Sequence, residues 1–184
     1  MRNELVVDLE TKRSFEEVGG QQNHHLLEIS LAGIYDYTKG DFFSFQENEV
    51  GELVERLKGV DRVIGFNVKT FDWRVLQAYT DFDIGSIATL DIMDDAVRAV
   101  GRRVSLNNIA SSTLGVRKSG HGLEAIRLFR EGKMEELKKY CLDDVRITRD
   151  VYEYGLQHNH IYAVSPRDGQ KMTIPVKWKE ERLL

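Results

Sequence analysis

The stretch from Met134 to about Tyr154 constrains the fold more than any other. Leu137, Tyr140, Cys141, Val145, Thr148 and Val151–Tyr152 recur near helical spacing among charged neighbours, which predicts an amphipathic helix with one face to bury. Residues four apart on a helix stand one above the other, so the Tyr140 phenol and the Asp144 carboxylate share a face. A phenol beside a half-buried carboxylate means little alone. Two acidic clusters upstream give it meaning.

The first is at the start of the chain. Leu5-Val6-Val7-Asp8-Leu9-Glu10-Thr11 begins as a buried strand and ends in acids. Strand side chains alternate, so Asp8 and Glu10 point to one face, Val7 and Leu9 to the other. Like charges two apart repel unless a cation sits between them, although an isolated Asp-x-Glu is also what a strand end running into solvent looks like. A polar loop follows, then a strand expected over His25–Tyr37, in which Leu27, Ile29, Leu31 and Gly33 alternate against Glu28, Ser30 and Ala32. After the Lys39-Gly40-Asp41 turn, Phe42–Phe45 forms a third strand.

From there strands and helices alternate. Glu47–Lys58 has helical spacing, with Asn48 as the expected N-cap and Gly59 ending it. Arg62–Asn67 reads as a central strand. A helix from about Thr70 to Tyr79 carries Asp72 in its first turn, where the helix dipole favours a carboxylate. Ile87–Ile92 is a fifth strand leading into a helix to about Ala99, and Ser105 caps the next. Gly120-His121-Gly122 breaks the chain before a helix from Leu123 to Arg130. Past the Tyr140 helix, His160–Ser165 and Lys171–Val176 alternate around Pro166-Arg167-Asp168-Gly169, a turn signal. The expected architecture is α/β, a mixed five-stranded sheet flanked by helices. Residues 1–156 form its main body and 157–184 an appended C-terminal hairpin of the same domain.

Bulk properties bound the function. The 184 residues suit one domain, and 41% hydrophobic with 30% charged residues describe an ordinary globular protein. No apolar run approaches the roughly 18 residues of a membrane helix, so no membrane partner is expected. The N-terminus lacks a signal-peptide apolar region, and Cys141 is the sole cysteine, which fits a reducing, cytoplasmic setting. A formal charge of −4 argues against a general nucleic-acid coat protein. It leaves room for an enzyme on nucleic acid, because carboxylates that recruit cations bring their own positive charge.

Asp8 and Glu10 at a strand end, Asp72 opening a helix after a buried strand, and Asp144 on a late helix could not all stay ionised together without a counter-charge. Oxygen ligands alone suit hard cations such as Mg²⁺ or Mn²⁺, and there is no Cys/His pattern for zinc.

Here the chain resembles a family. Asp8-Leu9-Glu10-Thr11, Asn67-Val68-Lys69-Thr70-Phe71-Asp72 and Tyr140-x-x-x-Asp144 look like the three ordered motifs of the DEDD-class 3′–5′ exonucleases of the ribonuclease H-like superfamily, the last in its tyrosine form (DEDDy). The histidine form has its His five residues before the Asp, a position held here by Lys139. The resemblance spans roughly Leu5 to Tyr154 and looks similar to stand-alone or helicase-associated prokaryotic enzymes. It implies a ribonuclease H-like fold and hydrolysis of single-stranded DNA or RNA from the 3′ end with two Mg²⁺ or Mn²⁺ ions. Asp8, Glu10, Asp72 and Asp144 would hold the ions and Tyr140 would orient the attacking water, with a helicase or polymerase as partner.

Neighbouring residues carry two readings each. Leu9 and Thr11 flank the acids, and Asn67, Phe71 and His121 are further candidate substrate contacts, yet strand-end, turn, core and loop roles also explain them. Arg98, Arg102, Arg103, Arg117 and Lys118 form a basic interval, a solvated face or a set of phosphate contacts. Asp143 competes with Asp144, at a poorer offset from Tyr140. A structure-selective endonuclease of the same superfamily and a non-catalytic nucleic-acid-binding module are the alternatives.

Overall fold

A computed structural model of the chain describes residues 2–116 and 122–179. Its centre is β1 (Glu4–Thr11), which pairs antiparallel with β2 (Ile29–Asp36) on one side and parallel with β4 (Arg62–Gly65) on the other. β3 (Asp41–Gln46) extends the sheet beyond β2, antiparallel, and β5 (Thr89–Asp91) lies beyond β4, parallel, for the order β3-β2-β1-β4-β5. This is the mixed five-stranded α/β sheet that the sequence predicts.

Strand alternation sorts the sheet into two cores. Leu5, Val7 and Leu9 face α1 (Val50–Lys58) and the short α2 (Asp72–Leu76). Val6 and Ile64 face the other way, toward α3 (Ile92–Val100), α4 (Leu106–Leu114) and the long α6 (Met134–His158). A third cluster joins Leu31, Ala125, Leu128, Leu137 and Tyr140 between β2, α5 (Gly122–Arg130) and α6. The hairpin of β6 (His160–Val164) and β7 (Lys171–Pro175) shares the second core through Ile161, Ala163 and Ile174, and Trp178 packs there against Tyr152.

Several elements differ from the sequence expectation. The second strand begins at Ile29, because His24–Leu26 form a 3₁₀ turn and Glu28 sits at φ 55, outside extended geometry. Its alternation carries no solvent face, since β2 is buried almost throughout beneath α6. Asn48 does not cap α1: a 3₁₀ turn over Glu47–Glu49 comes first, and Glu49 accepts the Gln46 N–H at 2.8 Å. The helix expected from Thr70 starts at Asp72 and passes into a 3₁₀ turn at Gln77. β4 stops at Gly65, and α6 runs one turn further than expected, to His158. Gly59 and Ser105 do cap their helices, Ser105 Oγ accepting the Asn108 N–H at 3.2 Å.

α6 crosses β1 in the opposite direction, and both ends of the crossing are fixed. Toward the strand start, the Tyr152 hydroxyl donates to Glu4 at 3.1 Å, and the Arg62 guanidinium donates to Glu4 and to the Tyr152 oxygen. Burial pushes the Tyr152 phenol up to about 12, so it stays a donor at ordinary pH. Toward the strand end, Cys141 Sγ lies 3.7 Å from the Asp8 carbonyl. The close approach there depends on Gly33 of β2, where a Cβ would stand 2.8 Å from Cys141 Sγ and 3.1 Å from Val145. Gly33→Ala therefore overpacks this seam, with an expected cost of about 1–3 kcal/mol. Thermal unfolding should show it, and adding Cys141→Ala should recover part of the loss; an unchanged melting temperature in the single variant would mean that the seam is looser than described.

Candidate active site

The alternation of β1 puts Glu4, Val6, Asp8 and Glu10 on the α6 side. Asp144 reaches that face from α6, and one carboxylate oxygen each from Asp8, Glu10 and Asp144 lies within 4.8 Å of the other two. Asp144 is 2% exposed. Its neighbour Asp143 points elsewhere and pairs with Arg146, one turn on.

Asp72 arrives from the other side. Pairing of β4 with β1 ends at Val6 and Ile64, and beyond it the Leu9 N–H donates to Asp72 Oδ1 at 2.9 Å. The carboxylate thus replaces a strand partner and is held at the head of α2. Burial, then the charge of Asp8, push the Asp72 carboxyl well above the usual carboxylate range, against the backbone N–H groups that lower it. Cys141 registers the convergence: burial first, then the charges of Asp8, Glu10, Asp144 and Asp72, push its thiol well up. Such a thiol stays protonated and inert.

The turn that delivers Asp72 is tied down by an acid that the sequence reading missed. Asp91, ending β5, accepts the Asn67 N–H at 2.7 Å, the Lys69 N–H at 3.1 Å and the Met93 N–H at 3.0 Å. Burial raises its pKa, and the Lys69 and Asn67 amides oppose that rise. The available signal was an Asp at a strand end immediately before a helix, the same placement as the other acids. Asn67 occupies the left-handed region at φ 65, and its side-chain oxygen accepts from Thr70 Oγ1 at 2.5 Å and from Arg103 at 2.6 Å.

The acids floor a cleft of about 540 Å³. Of the candidate substrate contacts, Leu9, Thr11, Asn67 and Phe71 line it. Thr11 Oγ1 donates to the Arg13 carbonyl at 2.9 Å, and Phe71 packs edge-on to Phe15, 5.8 Å between ring centres. His121, Arg117 and Lys118 lie outside the described residues. Apolar walls that sequence reasoning did not identify come from Phe15, Phe66, Leu27, Ile126 and Leu123, the last 71% exposed at the start of α5. Tyr140 stands one turn before Asp144 but is 5% exposed, packed with Leu31, Ala125 and Leu128, and is not among the cleft-lining residues.

The donor set fits hard divalent cations. Three carboxylates supply close oxygens, and a fourth is held where its charge is costly without a counter-ion. Among the described residues no His or Cys joins that cluster. Comparison with known proteins agrees in fold. A family model described as RNase H superfamily matches residues 15–156. The chain belongs to the RNase H superfamily. The matched segment begins after Asp8 and Glu10, so the RNase H superfamily match does not itself span those two acids. No match to a curated protein sequence is found. Among solved structures, a family B DNA polymerase from the hyperthermophilic archaeon Pyrobaculum calidifontis is similar, with TM-score 0.63 and 18% identity over 83% of this chain. The chain spans 24% of that polymerase's length, and at this identity the likeness is one of fold. Superfamily membership supports nuclease-type chemistry at the cleft.

A carboxyl whose pKa is higher in the folded than in the unfolded state makes the fold lose stability as pH rises from the ordinary carboxylate range through the raised value. In EDTA, the urea midpoint should therefore fall as pH increases from about 4 upward. Asp72→Asn, whose amide oxygen can still accept from Leu9, should make that fall shallower. A slope equal to the wild type would show that Asp72 is not the strained acid.

Proposed function

We propose that the chain is a metal-dependent 3′–5′ exonuclease that hydrolyses phosphodiester bonds of single-stranded DNA or RNA, of the tyrosine subtype. The observation that carries this reading is the meeting of Asp8, Glu10 and Asp144 within 4.8 Å at the floor of a cleft that Asp72 and Phe71 also line. Asp8, Glu10, Asp72 and Asp144 would hold two Mg²⁺ or Mn²⁺ ions. When bound, such ions acidify water and neutralise charge on phosphate oxygens. The chain's own part is to position. Asp72 is braced by the Leu9 amide and, through the 67–69 turn, by Asp91. Phe71 and Phe15 offer ring surface to a terminal base, and Leu9, Thr11 and Asn67 border the acids where the strand end would lie.

Tyr140 orients the attacking water in this reading. A phenol with a pKa near 10 holds a water better than it deprotonates one. Its ring is covered by Ala125 and Leu128 of α5, so the reading requires α5 to shift when a strand enters. That part of a family B DNA polymerase shares this fold supports a polymerase as the partner class, with a helicase as the other expectation. A cytoplasmic setting accords with the single, free and buried Cys141.

Oligonucleotides labelled at either end, incubated with Mn²⁺, test the reading. Stepwise loss from the 3′ end is expected; cleavage of a circular single strand would make the chain an endonuclease. Asp8→Ala and Asp144→Ala should each lower the rate by more than about 10³-fold with the fold intact. Tyr140→Phe should lower it by roughly 10²-fold and leave metal binding in place. Millimolar Mn²⁺ should raise the melting temperature of the wild type and not of Asp144→Ala; an equal rise in both would move the ions elsewhere.

A further inference from the structure

A second groove opens on the far side of the short helix that carries Asp72. It measures about 720 Å³, larger than the acidic cleft, and is lined by Lys69, Arg74, His24, His25, Trp73 and Gln77, with Asp83 the one acid at its rim. Its permanent cations are Lys69 and Arg74. Arg74 is exposed and has no ion pair or side-chain hydrogen bond among the described residues. Lys69 pairs with Asp94 at 2.9 Å, but both side chains are about two-fifths exposed, 44% and 41%. A pair so exposed is worth little and yields readily to a phosphate. Burial, then the charge of Arg74, hold His24 below the usual imidazole range, so the permanent cations are Lys69 and Arg74. Trp73 closes the floor from below: it is 5% exposed, packs into the core and donates its indole N–H to Thr89 Oγ1 at 3.1 Å, so the groove's open surface is set by the polar and charged side chains around it.

The two depressions share one wall. Phe71 and Asp72 line the acidic cleft while the next two residues, Trp73 and Arg74, line the groove. Above them, His24 of the groove packs edge-on against Phe15 and Phe71 of the cleft, with ring centres 5.0 and 6.1 Å apart. Two cations beside a groove next to the acids contact phosphates without reading the sequence of a strand.

We propose that this groove is a second subsite for single-stranded nucleic acid, holding the phosphodiesters upstream of the nucleotide whose bond faces the acids. The inference rests on the exonuclease reading for the identity of the strand. It goes beyond that reading in assigning Lys69 and Arg74 to substrate length. A trinucleotide fills the cleft alone, whereas a twelve-nucleotide strand spans both depressions.

The test uses the full chain and the double variant Lys69→Ala/Arg74→Ala, with equal melting temperatures as the folding control. With Mn²⁺ and 3′-labelled DNA of three and twelve nucleotides, the wild type should show a higher kcat/KM on the longer strand. The variant should reduce that preference about tenfold, through KM. A length preference that is unchanged in the variant, or absent from the wild type, overturns the proposal. Anisotropy of a fluorescein-labelled twelve-nucleotide strand in EDTA separates this proposal from the exonuclease reading, because the unneutralised acids then repel phosphate and binding reports the groove. There the variant should bind about tenfold more weakly, with a shallower salt dependence by about 0.7 per cation removed. Equal binding by the two proteins overturns the groove even if hydrolysis is observed. Loss of binding without hydrolysis of any strand keeps the groove and overturns the exonuclease reading.

Discussion

The close packing of α6 on the face of β1 and β2 is the constraint on which the other features depend. A helix can lie this near a sheet only where a side chain is missing, and Gly33 supplies the gap that Cys141 and Val145 occupy. Tyr152, Glu4 and Arg62 clasp the crossing at one end. At the other end the helix sets Asp144 over Asp8 and Glu10. The packing that stabilises the domain thus also forces three carboxylates together, and a core built from apolar contacts absorbs a local repulsion that isolated acids would avoid.

That repulsion is organised. Asp72 is bonded to the Leu9 amide rather than left to move away, and Asp91 holds the turn before it through the Asn67 and Lys69 N–H groups while capping α3 through Met93 N–H. Asp91 is therefore a positioning residue in the frame of the site, although it lies among the turn amides and not in the cleft. A carboxylate held by a backbone bond has little rearrangement left to oppose a counter-charge. The apolar walls, from Phe15, Phe66, Leu123 and Ile126, suit the flat faces of bases.

The surface charge follows the same division. Acids gather where cations would be recruited, while Lys69 and Arg74 stand one helix away on a groove that shares the Phe15–His24–Phe71 ring partition with the cleft. Anion-repelling and anion-attracting side chains thus stand back to back across the short helix that carries Asp72.

Much of this was readable in the chain itself. The alternation from Leu5 to Thr11 determined that Asp8 and Glu10 share a face, and the helical period determined that Tyr140 and Asp144 do, because both depend only on local backbone geometry. The order of strands and helices pointed to the mixed sheet for the same reason. What the sequence left open was set by contacts between distant segments. That β2 is buried on both faces, that Tyr140 lies under α5 rather than in the cleft, and that Asp91 rather than a residue beside Asp72 braces the Asp72 turn are consequences of packing. The start of β2 moved to Ile29 because Glu28 takes a left-handed backbone that no propensity for Glu foretells. Local periodicity fixes which way a side chain points along its own element; only the folded core decides what it meets there.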